Sequence, residues 1–187
     1  MRMTLGTILK SAVLLCAATS IHATTLARLS LDQLAAVADA TARVRCTSAQ
    51  SRWENGQIWT VTSFDVLETM KGTLPAQITV RLPGGRVGHL TAIVDGTPKF
   101  TVADEVVVFL ERSRGGGFSV AAWVEGTFRI RRDPPTGVET VTQDSSNFAV
   151  FDAATQTFHA EGIRQMPMEQ FRERVATALN RAKEKSR

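Results

Sequence analysis

The sequence predicts a mainly β domain: a small closed or partly open antiparallel barrel or sandwich, with a short helix before it and a longer helix packed on it at the C-terminal end. Three observations predict this class. From Ala42 to about Phe158, apolar and polar residues alternate with a period of two, the pattern of half-buried strands. Turn-forming residues cut that stretch into six to eight short pieces, a spacing that favours barrels and sandwiches. The flanking stretches instead carry apolar residues every three or four positions, which is the helical period.

The first residues differ from the rest. Arg2 and Lys10 supply positive charge, the run Ala12-Val13-Leu14-Leu15-Cys16-Ala17-Ala18 is apolar, and Ser20-Ile21-His22-Ala23 closes the segment. This is the layout of a secretory signal peptide, with cleavage expected between Ala23 and Thr24. The apolar run falls short of the roughly 20 residues a spanning helix requires. A lipoprotein anchored through Cys16 is the alternative, but Leu15 stands where such signals place a small residue. The expectation is therefore a periplasmic or secreted protein, with no transmembrane segment once residues 1–23 are removed.

About 164 residues then remain for one domain, 24–187, enough to bury a core without covalent staples. Only Cys46 is left among the cysteines, so no intrachain disulfide is possible. Its alternating neighbours read as a small buried residue rather than a reactive thiol. The whole chain has 22 basic and 18 acidic residues, and losing Arg2 and Lys10 leaves 20 against 18. So small an excess is a weak footprint for nucleic acid. The basic bias is local, at Arg129, Arg131 and Arg132 and along the tail from Arg181 to Arg187.

Each element has its own signal. Ser30-Leu31-Asp32-Gln33 is a capping box, and Leu31, Leu34, Val37 and Ala38 are expected to form one apolar face behind it. In Ile58–Val66 one face holds Ile58, Phe64 and Val66 with two threonines, and the other holds Trp59, Val61, Ser63 and Asp65. Ile78, Val80 and Leu82 alternate with Thr79 and Arg81, whereas Val106–Leu110 is apolar throughout and is expected to be covered on both faces. Phe118–Val124, Thr127–Arg131 and Val138–Thr142 continue the series. Asn55-Gly56 and Asp95-Gly96 read as two-residue hairpins, and the glycine and proline clusters at 84–85, 115–117 and 133–137 as further turns. The final helix begins near Pro167, with Met168, Phe171, Val175, Leu179 and Ala182 as its docking stripe.

Several of these segments together carry a resemblance. Ser51-Arg52-Trp53-Glu54-Asn55-Gly56, Val66-Leu67-Glu68-Thr69-Met70-Lys71-Gly72, Val80-Arg81-Leu82-Pro83-Gly84-Gly85, Asp104–Leu110 and Gly126–Ile130 resemble a group of exported bacterial proteins to which no activity is assigned. The barrel of that group is similar to the OB-like barrel of netrin and metalloproteinase-inhibitor domains. The resemblance implies an OB-like fold and an exported location, not a reaction. Those inhibitors hold zinc through an N-terminal cysteine and are disulfide-rich, whereas this chain is expected to begin near Thr24 with one Cys.

Motifs for chemistry are sparse. After the leader, His89, His159 and Cys46 have no paired metal-ligand spacing, so neither a metal nor another cofactor is expected. There is no Gly-x-Ser-x-Gly elbow for a nucleophile, and Gly84–Gly88 lacks the Gly-Lys-Ser/Thr ending and following helix of a phosphate loop. Asp104 and Glu105 are adjacent, so on a strand they face opposite ways. Trp53, Trp59 and Trp123 with Arg81, Arg129 and Arg131 offer a stacking set for single strands, but alternating Arg and Thr also read as the wet face of a sheet, and no nucleic-acid partner is expected. The reading is an exported, non-enzymatic binding module whose partner is an envelope or extracellular protein, with Trp53, Arg86 and His89 as contact candidates. A hydrolase with residues converging from separate strands and an envelope structural component are the alternatives.

Overall fold

A computed structural model describes residues 29–113, 115–147, 150–152, 157–159 and 162–185. The leader with Cys16, the Ala23–Thr24 cleavage position and the side chain of His159 lie outside that description. In chain order the elements are α1 (Leu31–Val37), β1 (Ala40–Glu54), β2 (Gln57–Lys71), β3 (Gln77–Pro83), β4 (Gly85–Val87), β5 (Leu90–Ala92) and β6 (Glu105–Arg112). They continue with β7 (Phe118–Val120), the 3-10 turn η1 (Trp123–Gly126), β8 (Thr127–Arg132), β9 (Glu139–Gln143), η2 (Asp144–Asn147), β10 (Val150–Asp152), β11 (Thr157–His159), β12 (Met166–Pro167) and α2 (Met168–Lys185).

The fold is mainly β and OB-like. Strands β1, β2, β3, β7 and β6 close a five-strand ring in that order, because β6 pairs with both β7 and β1. Every pair in the ring is antiparallel except β3 and β7, which meet in parallel at Val80 and Phe118. Three register shifts along β1, between Thr41 and Ala42, Arg43 and Val44, and Cys46 and Ser48, supply the local coiling that closing a small ring demands. Asn55 and Gly56 take positive φ, 48° and 80°, the conformation of the tight primed turn expected there.

β6 lies between two cores. Val106, Val108 and Leu110 point into the barrel with Val44, Phe64 and Val80. Val107 and Phe109 point outward, against Phe128, Phe171 and Val175. This explains why its five central residues are all apolar: each face of the strand is covered. Beyond β6 the sheet continues as a wing, β8–β9–β12, and α1 and α2 cover the wing and the outer face of β6. Among the described residues, no helix is long and apolar enough to cross a membrane.

Three local expectations are corrected. The strand expected over Phe118–Val124 stops at Val120, because Ala122 and Trp123 take positive φ (49° and 51°) and η1 follows. That break lets one run of chain close the barrel as β7 and then leave it as β8. Asp95-Gly96 is a turn, but no strand flanks it; its neighbours lie across the barrel end, where Phe100 is buried edge-on against Phe64, 5.0 Å between centroids. Val37 is exposed, and Ala35 is buried in its place. At about 100° per residue, Leu34, Ala38, Leu31 and Ala35 span one arc of α1, and Val37 falls about 60° outside it.

The capping box forms as expected: Gln33 N donates to Ser30 Oγ, and Ser30 N donates to Gln33 Oε1. The other end of α1 is held from a distance. Lys71 Nζ donates to the carbonyls of Ala35 and Ala38 at 2.8 and 2.6 Å, a cation at the negative end of the helix.

Candidate functional site

The barrel is open at one end, and its mouth is built from segments far apart in sequence. Past Cys46, whose N–H donates to Asp104 O, β1 leaves β6 and runs on with β2 as a ribbon whose far edge stays paired with β3. On its inner face Ala49, Ser51 and Trp53 stand opposite Thr62, Thr60 and Ile58. Gly84 and Gly85 (φ 92° and 130°) then turn the chain from β3 into the β4–β5 hairpin, which packs over β1 and β2. A Cβ at Gly85 would collide with the hydroxyls of Ser51 and Thr60, so this approach requires glycine. Ile93 to Phe100 close the remaining side, and Phe100 forms the floor.

The space between these walls is a cleft of about 260 Å³. Its walls are largely apolar, with Leu82, Pro83, Ile93, Val94 and Pro98 beside Phe100. Polar groups enter at a few points. Thr60 Oγ1 donates to Gly84 O at 2.7 Å, so Ser51 Oγ is the donor in the 2.9 Å bond between the two hydroxyls. Thr62 and Thr97 also line the cleft, and neither hydroxyl has a hydrogen-bond partner among the described residues. Thr62 is 1% exposed, and a buried hydroxyl without a partner costs about 1–3 kcal/mol. Ile93 lines the cleft and is 74% exposed; Trp53, two residues beyond Ser51 on β1, and Leu90, two residues before Ala92 on β5, are 55 and 59% exposed.

A second cluster of charge lies where β1, β6, β8 and β9 meet, around a hollow of about 300 Å³. Arg43 bridges Glu105 (2.5 Å) and Glu139 (2.8 Å), Arg45 adds a bond to Glu105, and Arg132 one to Glu139. Arg129 sits between Asp144 (2.6 Å) and Asp104 (2.9 Å) and donates to Lys99 O. Hydrogen bonds from Arg43 and Arg132 bring the Glu139 carboxyl down to about 2. Burial pushes Glu105 and Asp104 up, but bonds from Arg43 and Arg45 to the former, and from Thr101 and Arg129 to the latter, outweigh it and the net direction is down. Asp144 goes the other way: its burial outweighs Arg129 and raises it. Each carboxylate here is already clasped by guanidinium, so the cluster works as a four-strand clamp. Most of the basic run around Arg129 is thereby neutralised from within the chain.

The residues singled out from sequence gather at the same end of the barrel without sharing a pocket. Trp53 stands on the cleft-facing side of the ribbon. Arg86 alternates with Gly85, which lines the cleft, and so faces away; its Nε donates to Gly88 O. His89 occupies the turn between β4 and β5 and is exposed. On the outer face of the ribbon Arg81 lies 4.1 Å over the Trp59 ring and pairs with Glu54, which Arg52 also contacts. Cys46 is buried, and burial pushes its thiol up, away from the reactive thiolate.

Sequence reasoning missed Thr62, Thr97, Lys99 and Phe100 as parts of a site. One signal was present: Thr60 and Thr62 sit on the apolar face of an otherwise regular strand, where a hydroxyl must find a partner or remain a liability. Among the described residues, no group of His, Cys, Asp and Glu gathers as a metal site requires. No protein-family model, curated protein or solved structure matches the chain.

Proposed function

We propose that this chain is an exported, non-enzymatic binding module of a bacterial cell envelope, and that it takes an envelope or extracellular protein at the open mouth of its barrel. The observation that carries the proposal is the mouth itself: an apolar-walled cleft with exposed Ile93 in its wall, and with exposed Trp53 and Leu90 two residues along the chain from the lining residues Ser51 and Ala92. Exposed aromatic and aliphatic anchors around a preformed hollow are what a protein interface concentrates. Export rests on the charged start, apolar run and small-residue ending of residues 1–23.

The test is site-specific photo-cross-linking in living cells, with the probe at Trp53, at Ile93, and at Arg172 on α2 far along the chain from the mouth. The mouth positions are expected to give one discrete adduct and Arg172 none. Trp53→Ala is expected to weaken that adduct about tenfold, the effect of losing one interface anchor, and Arg86→Ala to leave it intact. Equal adducts at all three positions, or loss on Arg86→Ala with Trp53→Ala silent, would remove the mouth as the site.

A further inference from the structure

The cleft's chemistry narrows what enters it, an inference that rests on the mouth being the binding site. We infer that the cleft seats a small apolar group bearing a carboxylate, of the size of one aliphatic side chain with its acid. The volume, about 260 Å³, equals that of roughly nine waters at ~30 Å³ each and lies below the range of drug-sized sites. The apolar walls recognise a hydrocarbon body. The polar recognition is one-sided: Thr62 and Thr97 line the cleft with buried hydroxyls that have no partner among the described residues, and the lining includes Lys99 but no Asp or Glu.

Each of these points toward an anion. A hydroxyl with no internal acceptor to bond donates readily to a carboxylate oxygen. The Lys99 ammonium makes no ion pair among the described residues, while Arg129 holds the Lys99 carbonyl at 2.5 Å and so fixes the backbone from which that side chain leaves. A cationic ligand would meet Lys99 with no compensating acid. A purely apolar ligand would leave the Thr62 hydroxyl buried without a partner.

The same chemistry has two sources, the C-terminal residue of a polypeptide and a free carboxylic acid. Amide NMR titrations separate them, using isocaproate, its neutral analogue isocaproamide, and a short peptide ending in Leu with a free or an amidated C-terminus. Isocaproate and the free-ended peptide are expected to bind saturably, moving the amides of Thr62, Val94 and Thr97, with the amides at least about tenfold weaker. A peptide that binds tighter than isocaproate makes the source a chain end; the reverse order makes it a free acid. Thr62→Val, which exchanges an unpartnered hydroxyl for a methyl and should fold, is expected to weaken both acids about tenfold. Lys99→Met, at the lip, is expected to erase the preference for acid over amide. Amide and acid binding equally, or shifts confined to residues outside the cleft, would overturn the inference. Absence of any saturable binding while the Trp53 and Ile93 adducts persist would overturn the carboxylate alone and leave the binding module standing.

Discussion

Cys46 stands opposite Phe64 in the β1–β2 register, inside the barrel, and its thiol donates to Ser48 O at 3.6 Å. Burial is the main cause raising its pKa, and the nearby Asp104 charge adds to it. Without thiolate or access, the residue should behave as a small apolar wall. The folded chain, freed of residues 1–23, is expected to react with a thiol reagent at mildly alkaline pH at least about a hundredfold more slowly than the unfolded chain, since modification must wait for opening. A stopped-flow labelling trace with native and unfolded rates alike would place Cys46 in solvent and contradict its position. At this scale the sequence was legible wherever one residue's neighbours decided its role. Cys46 read correctly because alternation put it on the inner face. Thr62 was visible as a polar intruder on that face, but its solitude depends on strands and loops that its neighbours do not specify.

Elements show the same division. The C-terminal helix was readable because a stripe at three- and four-residue spacing needs no tertiary information: Met168, Phe171 and Val175 are all buried. What the stripe does not specify is the surface it meets. Phe171 packs on Phe128, 5.0 Å between centroids, and Phe128 in turn on Phe109 at 5.7 Å, so three aromatic rings join α2 to β8 and β6. Phe171→Ala is expected to destabilise the fold by about 3–5 kcal/mol, read as a shift of the urea midpoint. A loss below about 1 kcal/mol would mean that α2 docks weakly and the aromatic chain does not hold it. The break at Ala122 and Trp123 was invisible for the opposite reason: neither residue favours positive φ, and the break is imposed by the chain's leaving one strand neighbour for another.

The whole molecule is tied together by its ion pairs as well as its cores, and that gives it a pH signature. The carboxyl of Glu139 falls from the ordinary 4.5 to about 2 in the folded chain, chiefly through its hydrogen bond from Arg43. A group whose folded pKa is depressed contributes stability above its unfolded pKa and loses it as pH falls toward the folded one. Stability should therefore decline from about pH 4.5 down to about pH 2, and Asp104 and Glu105, also lowered, add to the same slope. Asp144 opposes it, because a raised carboxyl costs stability once pH climbs through its folded pKa. Glu139→Gln is expected to cost about 1–2 kcal/mol at neutral pH and to flatten the acid decline, measured as denaturation midpoints across that range. An unchanged slope would show that the clamp is not the source of the acid sensitivity.

By itself the sequence determined the strand-rich class, the capped first helix, the tight turn at Asn55-Gly56, the doubly buried β6 and the docking stripe of the last helix. Each follows from a period or a turn chemistry that acts over a few residues. Only the tertiary structure decided that the ring closes through a single parallel pairing of Val80 with Phe118, and that Phe100 is buried against Phe64 beneath the cleft. It alone decided that Thr62, Thr97 and Lys99 face one cleft while Arg86 turns away from it. Those outcomes depend on which distant segments become neighbours, and alternation along a strand names a face without saying what lies across from it.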